Sequence, residues 1–319
     1  VEGGKEREMR ILVVGAGAIG GYFGGRLLEG KQDVTFLVRS RRAAELAGSG
    51  LNIQSPCGDV HIPHPKTVLA EELKTTFDLI LLSCKAYDLE NAIASFAPAV
   101  GPETAILPLL NGMRHLEALD AHFGAARVLG GLCMISTVME AGGTIAHLSK
   151  MHILAFGERD GSRSARVEAI GAAFEGSNFV TRLTENILQE MWEKWVFIAS
   201  CAGVTCLMRS TIGDTVAAGA AELNTALLAE CAAISAGQGF APGTAAMELS
   251  RSLLTTANSP LAASMFRDVE RGAPIEAEHM IGDLLRRGEK AGIASPLLRV
   301  VNAHLRSYEA RRARELGAK

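Results

Sequence analysis

Gly15, Gly17 and Gly20 stand in the order glycine–x–glycine–x–x–glycine, with Ala16, Ala18 and Ile19 between them. This spacing suits the pyrophosphate of a dinucleotide. The first glycine permits a tight turn, the second lets backbone approach the phosphates, and the third lets a helix pack closely on a strand. The helix start then presents free N–H groups and the positive end of its dipole. Glycine turns are common, so context decides. Here the apolar run Met9–Val14 precedes the turn, and Ile19, Phe23, Leu27 and Leu28 follow at helical spacing. Asp33–Val38 reads as the next strand and closes a βαβ unit. The end of that strand selects the cofactor. Sites for NAD usually place Asp or Glu there, on the ribose 2′-hydroxyl. This chain has Arg39, Ser40, Arg41 and Arg42 instead. Guanidinium groups bind a 2′-phosphate through paired, charge-assisted hydrogen bonds, whereas a carboxylate repels it. NADP(H) is therefore the predicted cofactor, the alternative being that these arginines only start a solvated helix.

Further apolar runs at Leu79–Leu82 and Ala105–Leu110 alternate with helical patterns. The alternation predicts an α/β fold, a Rossmann-type doubly wound parallel sheet. Residues Val128–Phe156 carry several short β-like runs around Gly142 and Gly143, which predicts an antiparallel extension at the sheet's edge. Beyond Thr184 the character changes to segments rich in Ala, Leu, Glu and Arg. Candidate helices are Glu185–Ser200, Thr215–Gln238, Ala245–Thr256 and Glu276–Ala291, punctuated by Gly237, Gly239, Pro242, Pro260, Pro274 and Pro296. The predicted organisation is a flexible polar leader over 1–8, an NADP-binding domain over 9–184 and an all-helical domain over 185–319. A length of 319 residues accords with two cores.

Taken in order, LLSCKA around Lys85, LNGM at Asn111, NILQEMWEK ending at Lys194, SMFRD from Ser264, PIEAEHMIG with Glu276 and GIASP from Gly292 resemble the ketopantoate reductase family (2-dehydropantoate 2-reductases, NADPH-dependent). The resemblance covers nearly the whole chain. It implies a Rossmann domain followed by a helical one, with a 2-oxo acid bound between them and reduced to a 2-hydroxy acid. Such a reduction needs hydride at carbon and a proton at oxygen; the cofactor supplies the first and the protein the second. By resemblance, Lys194 is the general acid and Glu276 its charge partner. Lys85 and Asn111 line the nicotinamide end and the reaction centre, and Ser264 contacts the substrate. Read without the resemblance, Lys194 is a lysine on an amphipathic helix, Asn111-Gly112 a turn, and Glu276 a charge at a helix start.

One departure bears on the substrate. The family pattern after the lysine carries two asparagines, at positions where this chain has Ile198 and Ala202. Positions four and eight after Lys194 share its helix face. A site built to bond a hydroxyl discriminates through that bond, and isoleucine cannot make it. Either Ser200 or Ser264 takes over the contact, or the substrate is a more apolar 2-oxo acid lying against Ile198. Two rival readings stand beside the reductase: a non-catalytic NADP-binding sensor or scaffold, and an enzyme acting on 3-hydroxy acids.

Composition narrows the field further. Hydrophobic residues make up 48% and charged residues 21%, with a net charge of −3, which gives no reason to expect nucleic acid or an anionic membrane as partner. No apolar run reaches the roughly 18 residues of a membrane span. Six scattered cysteines, without a C-x-x-C pair, predict a reduced cytoplasmic protein. No metal is expected: His61 and His64 are flanked by Pro63 and Pro65, and His115, His147, His152 and His279 are isolated in sequence. The cysteines lack a neighbouring histidine, and the basic stretch Arg299–Arg314 reads as a solvated helix end. A homodimer is a further expectation for the helical domain.

Overall fold

The computed structural model describes residues 8–317, so the expected leader lies outside the described residues apart from exposed Glu8. The chain divides into two compact units, one running to Leu110 and resuming over His115–Ile187, the other joining Asn111–Arg114 to Leu188 and beyond.

In the first unit β1 (Arg10–Val14) leads through the glycine turn into α1 (Ala18–Glu29) and β2 (Asp33–Leu37), followed by α2 (Ser40–Ser49), β3 (Leu51–Gln54), β4 (Val60–Ile62) and β5 (Lys66–Val68). Then come β6 (Phe77–Leu82), α3 (Leu89–Phe96), β7 (Val100–Pro108), α4 (Arg114–Phe123), β8 (Gly130–Met139), β9 (Ile145–Gly157), α5 (Ala165–Phe174) and β10 (Val180–Leu183). A parallel sheet orders the strands β5-β2-β1-β6-β7. Its central strand β1 is apolar throughout, with Ile11, Leu12 and Val13 wholly buried, as a strand covered on both faces must be. The predicted Rossmann-type sheet is therefore present.

The antiparallel segment differs from expectation. β8 and β9 do pair antiparallel, but they belong to a second sheet ordered β10-β9-β3-β4, with β8 against β9. A single bridge, Ile106 to Val128, joins the start of this segment to the edge of the first sheet. The physical reason is the length of β9. Its thirteen residues pair β3 at one end and β10 at the other, so it has two neighbours of its own.

Helix α1 lies between the two sheets, and its sequence explains how. An added Cβ at Gly24 would come 2.5 Å from Phe36 on the first sheet, whereas one at Gly25 would come 2.7 Å from Ile53 on the second. Gly21 similarly faces Ile145, and Gly20 faces the Gly15 carbonyl. The two glycine pairs, four residues apart, give the helix two bare faces at once. Tyr22, Phe23 and Leu27 on the same helix are wholly buried.

The second sheet also brings together residues that are far apart in sequence. Tyr22 Oη lies 2.7 Å from His152 Nδ1, and the His147 and His152 rings stack at 5.5 Å. One ligand-type atom from each of Cys57, His147 and His152 lies within 4.8 Å of the others, although the histidines are isolated in sequence. Burial holds both imidazoles below the usual histidine pKa, and the Arg26 guanidinium acts in the same direction.

The second unit is helical: α6 (Ile187–Met208), α7 (Ile212–Ala217), α8 (Ala221–Gly237), α9 (Thr244–Thr255), α10 (Ser264–Glu270), α11 (Asp283–Lys290) and α12 (Pro296–Gly317). The predicted helix over 215–238 is broken in two, because Gly219 takes a φ of 79° and ends α7. Before α11 one turn widens to a π-helix over Glu278–Gly282. Among the described residues no helix is long and apolar enough to cross a membrane.

The glycine turn supplies a test of this architecture. A Cβ at Gly20 would sit 2.1 Å from both the Gly15 carbonyl and Ser83 Oγ, while one at Gly17 meets nothing within 4 Å. Gly20→Ala should cost about 3 kcal/mol of stability, and Gly17→Ala no more than about 0.5 kcal/mol. Urea unfolding of the two variants checks this; equal midpoints would contradict the packing described.

Candidate functional site

The nucleotide half of the candidate site begins where β1 ends. Gly15 takes a φ of 93°, which favours glycine, and its N–H donates to the Leu37 carbonyl at 2.9 Å. Ser83, just past β6, donates its hydroxyl to the Val14 carbonyl at 2.9 Å and so pins the turn from the neighbouring strand. α1 starts at Ala18 with Gly17 as its cap and no side chain bonded to its first turn. The open N–H groups there, and the open space beside Gly17, fit a phosphate-bearing ligand. Gly15 to Gly20 are thus placed as their spacing predicts.

The arginines after β2 do different things. Arg39 is 76% exposed and pairs with Asp88 at 2.9 Å. Arg42 is 13% exposed. It donates Nε to the Ala16 carbonyl at 3.1 Å and Nη2 to the Gly143 carbonyl at 3.2 Å, with Glu45 as its ion-pair partner. So Arg42 braces the glycine turn, while Arg39 and Arg41, the latter paired with Glu45, keep exposed guanidinium groups after β2. Lys85 is exposed at the C-terminal side of β6.

The remaining predicted residues sit in the helical unit. Lys194 lies on α6 and is half-buried, as are Ile198 one turn on and Glu276 just ahead of the π-helical turn. Trp195, wholly buried, donates its indole N–H to the Met280 carbonyl at 2.9 Å. That bond fixes the α6 segment carrying Lys194 to the turn that follows Glu276. The π-helical turn also holds Asn111: His279 forms a backbone hydrogen bond with it, and a Cβ on Gly112 would approach the His279 ring at 3.1 Å. Burial lowers the His279 pKa, with Glu276 and Asp283 pulling the other way, so the ring is neutral at physiological pH. Sequence reasoning missed this histidine, although it lies inside the PIEAEHMIG segment.

Two expectations change on α6. Ala202 shares the face of Lys194, yet it is 2% exposed and packed away. Ser200 is wholly buried and donates to the Val196 carbonyl at 2.7 Å, so it is not available to bond a substrate. Ser264 opens α10 and is exposed. Burial pushes the thiols of Cys201, Cys206 and Cys231 up to about 12, which leaves them inert as nucleophiles.

Comparison with known proteins decides the family. The model described as ketopantoate reductase PanE/ApbA matches residues 11–161, and the model of its C-terminal domain matches 186–309. The chain belongs to the ketopantoate reductase family. It is accordingly an NADP-dependent oxidoreductase. An uncharacterised oxidoreductase of Bacillus subtilis, YkpB, is 38% identical over 95% of this chain and 99% of its own. A 2-dehydropantoate 2-reductase of Mesorhizobium japonicum is 26% identical over 93% of this chain and 97% of its own. Among solved structures, 2-dehydropantoate 2-reductase from Geobacter metallireducens superposes with a TM-score of 0.86 at 29% identity, covering 94% of this chain and 99% of that one.

The division of labour between the arginines is testable. Arg39→Ala should weaken NADPH binding about tenfold and leave NADH unaffected, since only the 2′-phosphate is lost as a partner. Arg42→Ala should weaken both coenzymes alike, because it loosens the turn beneath the pyrophosphate. Fluorescence titration with each coenzyme reads the difference, and a selective effect at Arg42 instead of Arg39 would reverse the assignment.

Proposed function

We propose that this protein reduces a 2-oxo acid to the 2-hydroxy acid with NADPH, and that the substrate carries an apolar side chain. The observation that carries the proposal is the conjunction on α6 of a half-buried Lys194 with Ile198, one turn along the same face, where the family pattern has asparagine.

Bound NADPH supplies hydride to the 2-oxo carbon. The chain's residues have the other tasks. Residues 15–20 hold the pyrophosphate, and Arg39 takes the 2′-phosphate. Lys194 donates a proton to the substrate oxygen as that oxygen gains charge, which removes the cost of an alkoxide. Glu276 balances the ammonium and keeps it protonated until it is needed. Lys85 and Asn111 complete the set on the nicotinamide side, and Ser264 contacts the carboxylate or hydroxyl of the acid.

The apolar preference rests on what α6 lacks. Ile198 offers no hydrogen bond, Ala202 is packed away, and the Ser200 hydroxyl is occupied by its own helix. Leaving a substrate hydroxyl unpaired against isoleucine costs about 1–3 kcal/mol, whereas an alkyl or aryl group there gains by burial. Ketopantoate, with its hydroxyl, remains the reference substrate, and pantothenate biosynthesis in the cytoplasm by a homodimer is the setting in which it would be reduced.

NADPH oxidation measured with ketopantoate and a panel of branched and aromatic 2-oxo acids tests the reading. The apolar acids should show the higher kcat/KM, and Ile198→Asn should shift preference toward ketopantoate by about tenfold. Lys194→Ala should lower kcat by about a hundredfold or more without changing NADPH affinity. If every 2-oxo acid is inert with a folded, NADPH-binding protein, or if the Lys194 variant keeps full activity, the proposal fails.

A further inference from the structure

Cys57 lies in the turn between β3 and β4, and His147 and His152 lie on β9, about ninety positions later in the chain. The fold nevertheless brings one sulfur and two ring nitrogens within 4.8 Å of one another. All three belong to the first unit and serve no step of the reduction described above. The details of the hydrogen bonding say more than the proximity does.

His147 Nε2 lies 3.1 Å from the Met151 carbonyl, which can only accept, so Nε2 carries the proton and the lone pair is on Nδ1. Nδ1 in turn lies 2.9 Å from Ser55 Oγ, and that same oxygen accepts the Cys57 N–H at 3.1 Å. The lone pair of His147 is thereby directed toward the Cys57 turn. A ring that donates one N–H to a backbone carbonyl has the outer-shell arrangement of metal-binding histidines, and the Ser55 hydroxyl that donates to Nδ1 must turn aside for an ion to take that lone pair. The His152 ring is likewise fixed, by Tyr22 at 2.7 Å. Cys57 is only partly buried, and its thiol donates to the Lys150 carbonyl at 3.7 Å, a weak contact that an ion would replace.

We propose that Cys57, His147 and His152 form a binding site for a single Zn2+ ion, with water as fourth ligand. One thiolate and two imidazoles match the preferences of zinc, and their atoms around a tetrahedral ion stand about 3.5 Å apart. The turn carrying Cys57 must therefore close by about 1 Å, a movement that a partly exposed loop permits. On binding, the Cys57 thiol gives up its proton to solvent and the sulfur takes the metal. Arg26 is the opposing charge nearby. It lies over the Tyr22 ring at 5.2 Å and is already neutralised by Glu29 at 2.9 Å, and the new thiolate offsets the ion further. Because Tyr22 belongs to α1, the ion would tie the β3–β4 turn and β9 to the helix that starts at the glycine turn.

Zn2+ titration of the full-length, tag-free, reduced and chelator-stripped protein against a chromophoric chelator tests this. One equivalent should bind and raise the thermal midpoint. Co2+ in its place should give a near-ultraviolet thiolate-to-metal band. Cys57→Ser should abolish that band and weaken Zn2+ at least about tenfold, as should His152→Ala. Circular dichroism of both variants establishes that they fold, and the partly exposed Cys57 position makes its variant the safer of the two. No zinc bound by the wild type, or zinc and the cobalt band retained in folded Cys57→Ser, would overturn the proposal. The result does not depend on which substrate the enzyme reduces, or on whether it reduces one.

Discussion

The close approach of α1 to two sheets at once is the constraint on which the first unit is built. Close-packed interiors leave no slack for an extra methyl group, so a helix sandwiched in this way must be bare on two faces. Gly20 and Gly24 provide one face, and Gly21 and Gly25 the other. The three large residues between and beyond them, Tyr22, Phe23 and Leu27, are wholly buried, each contributing about 1.5–3 kcal/mol by leaving water. The helix start is consequently rigid. Its free N–H groups stay aimed at one place, and a phosphate need not order them on arrival.

In the helical unit the corresponding constraint is polar. The Trp195 indole has one donor and no exposure, and it is satisfied by the Met280 carbonyl. A carbonyl free to accept from a side chain is what a π-helical turn supplies, since widening the turn disturbs the regular i to i−4 ladder. The same turn presents His279 to the backbone of Asn111. One irregular turn thus fixes the Lys194 helix, the segment after Glu276 and the Asn111 turn relative to each other. The cost of the irregularity is borne where three segments share a common anchor.

Much of this was legible in the sequence, for reasons that differ from residue to residue. Gly15, Gly17 and Gly20 are readable because each answers a local requirement of backbone geometry. The parallel sheet is readable because buried strands such as Ile11–Val14 are continuously apolar. Sequence could not assign the β8–β9 hairpin to a sheet of its own, since strand pairing depends on partners such as β3 that lie about ninety residues away. Nor could it separate Arg39 from Arg42, which have the same chemistry. What distinguishes them is that one reaches the Ala16 carbonyl and the other faces solvent. The break at Gly219 went unread for a simpler reason: a glycine inside an alanine-rich run is tolerated in many helices.

Burial also changes how the missing asparagines are to be understood. A face shared by Lys194, Ile198 and Ala202 would suggest that two contacts to substrate had been lost together. The structure separates them, because Ala202 is packed inside the protein and only Ile198 keeps exposed surface. Asparagine at a buried position needs partners for its amide, and alanine needs none. The change at Ala202 is therefore consistent with a local exchange of a polar packing arrangement for an apolar one. The change at Ile198 remains as the one that a ligand would feel, and it adds an apolar surface where the family pattern has a hydrogen-bonding group. Ile198 is thus the side chain, one helical turn from Lys194, on which the proposed specificity rests.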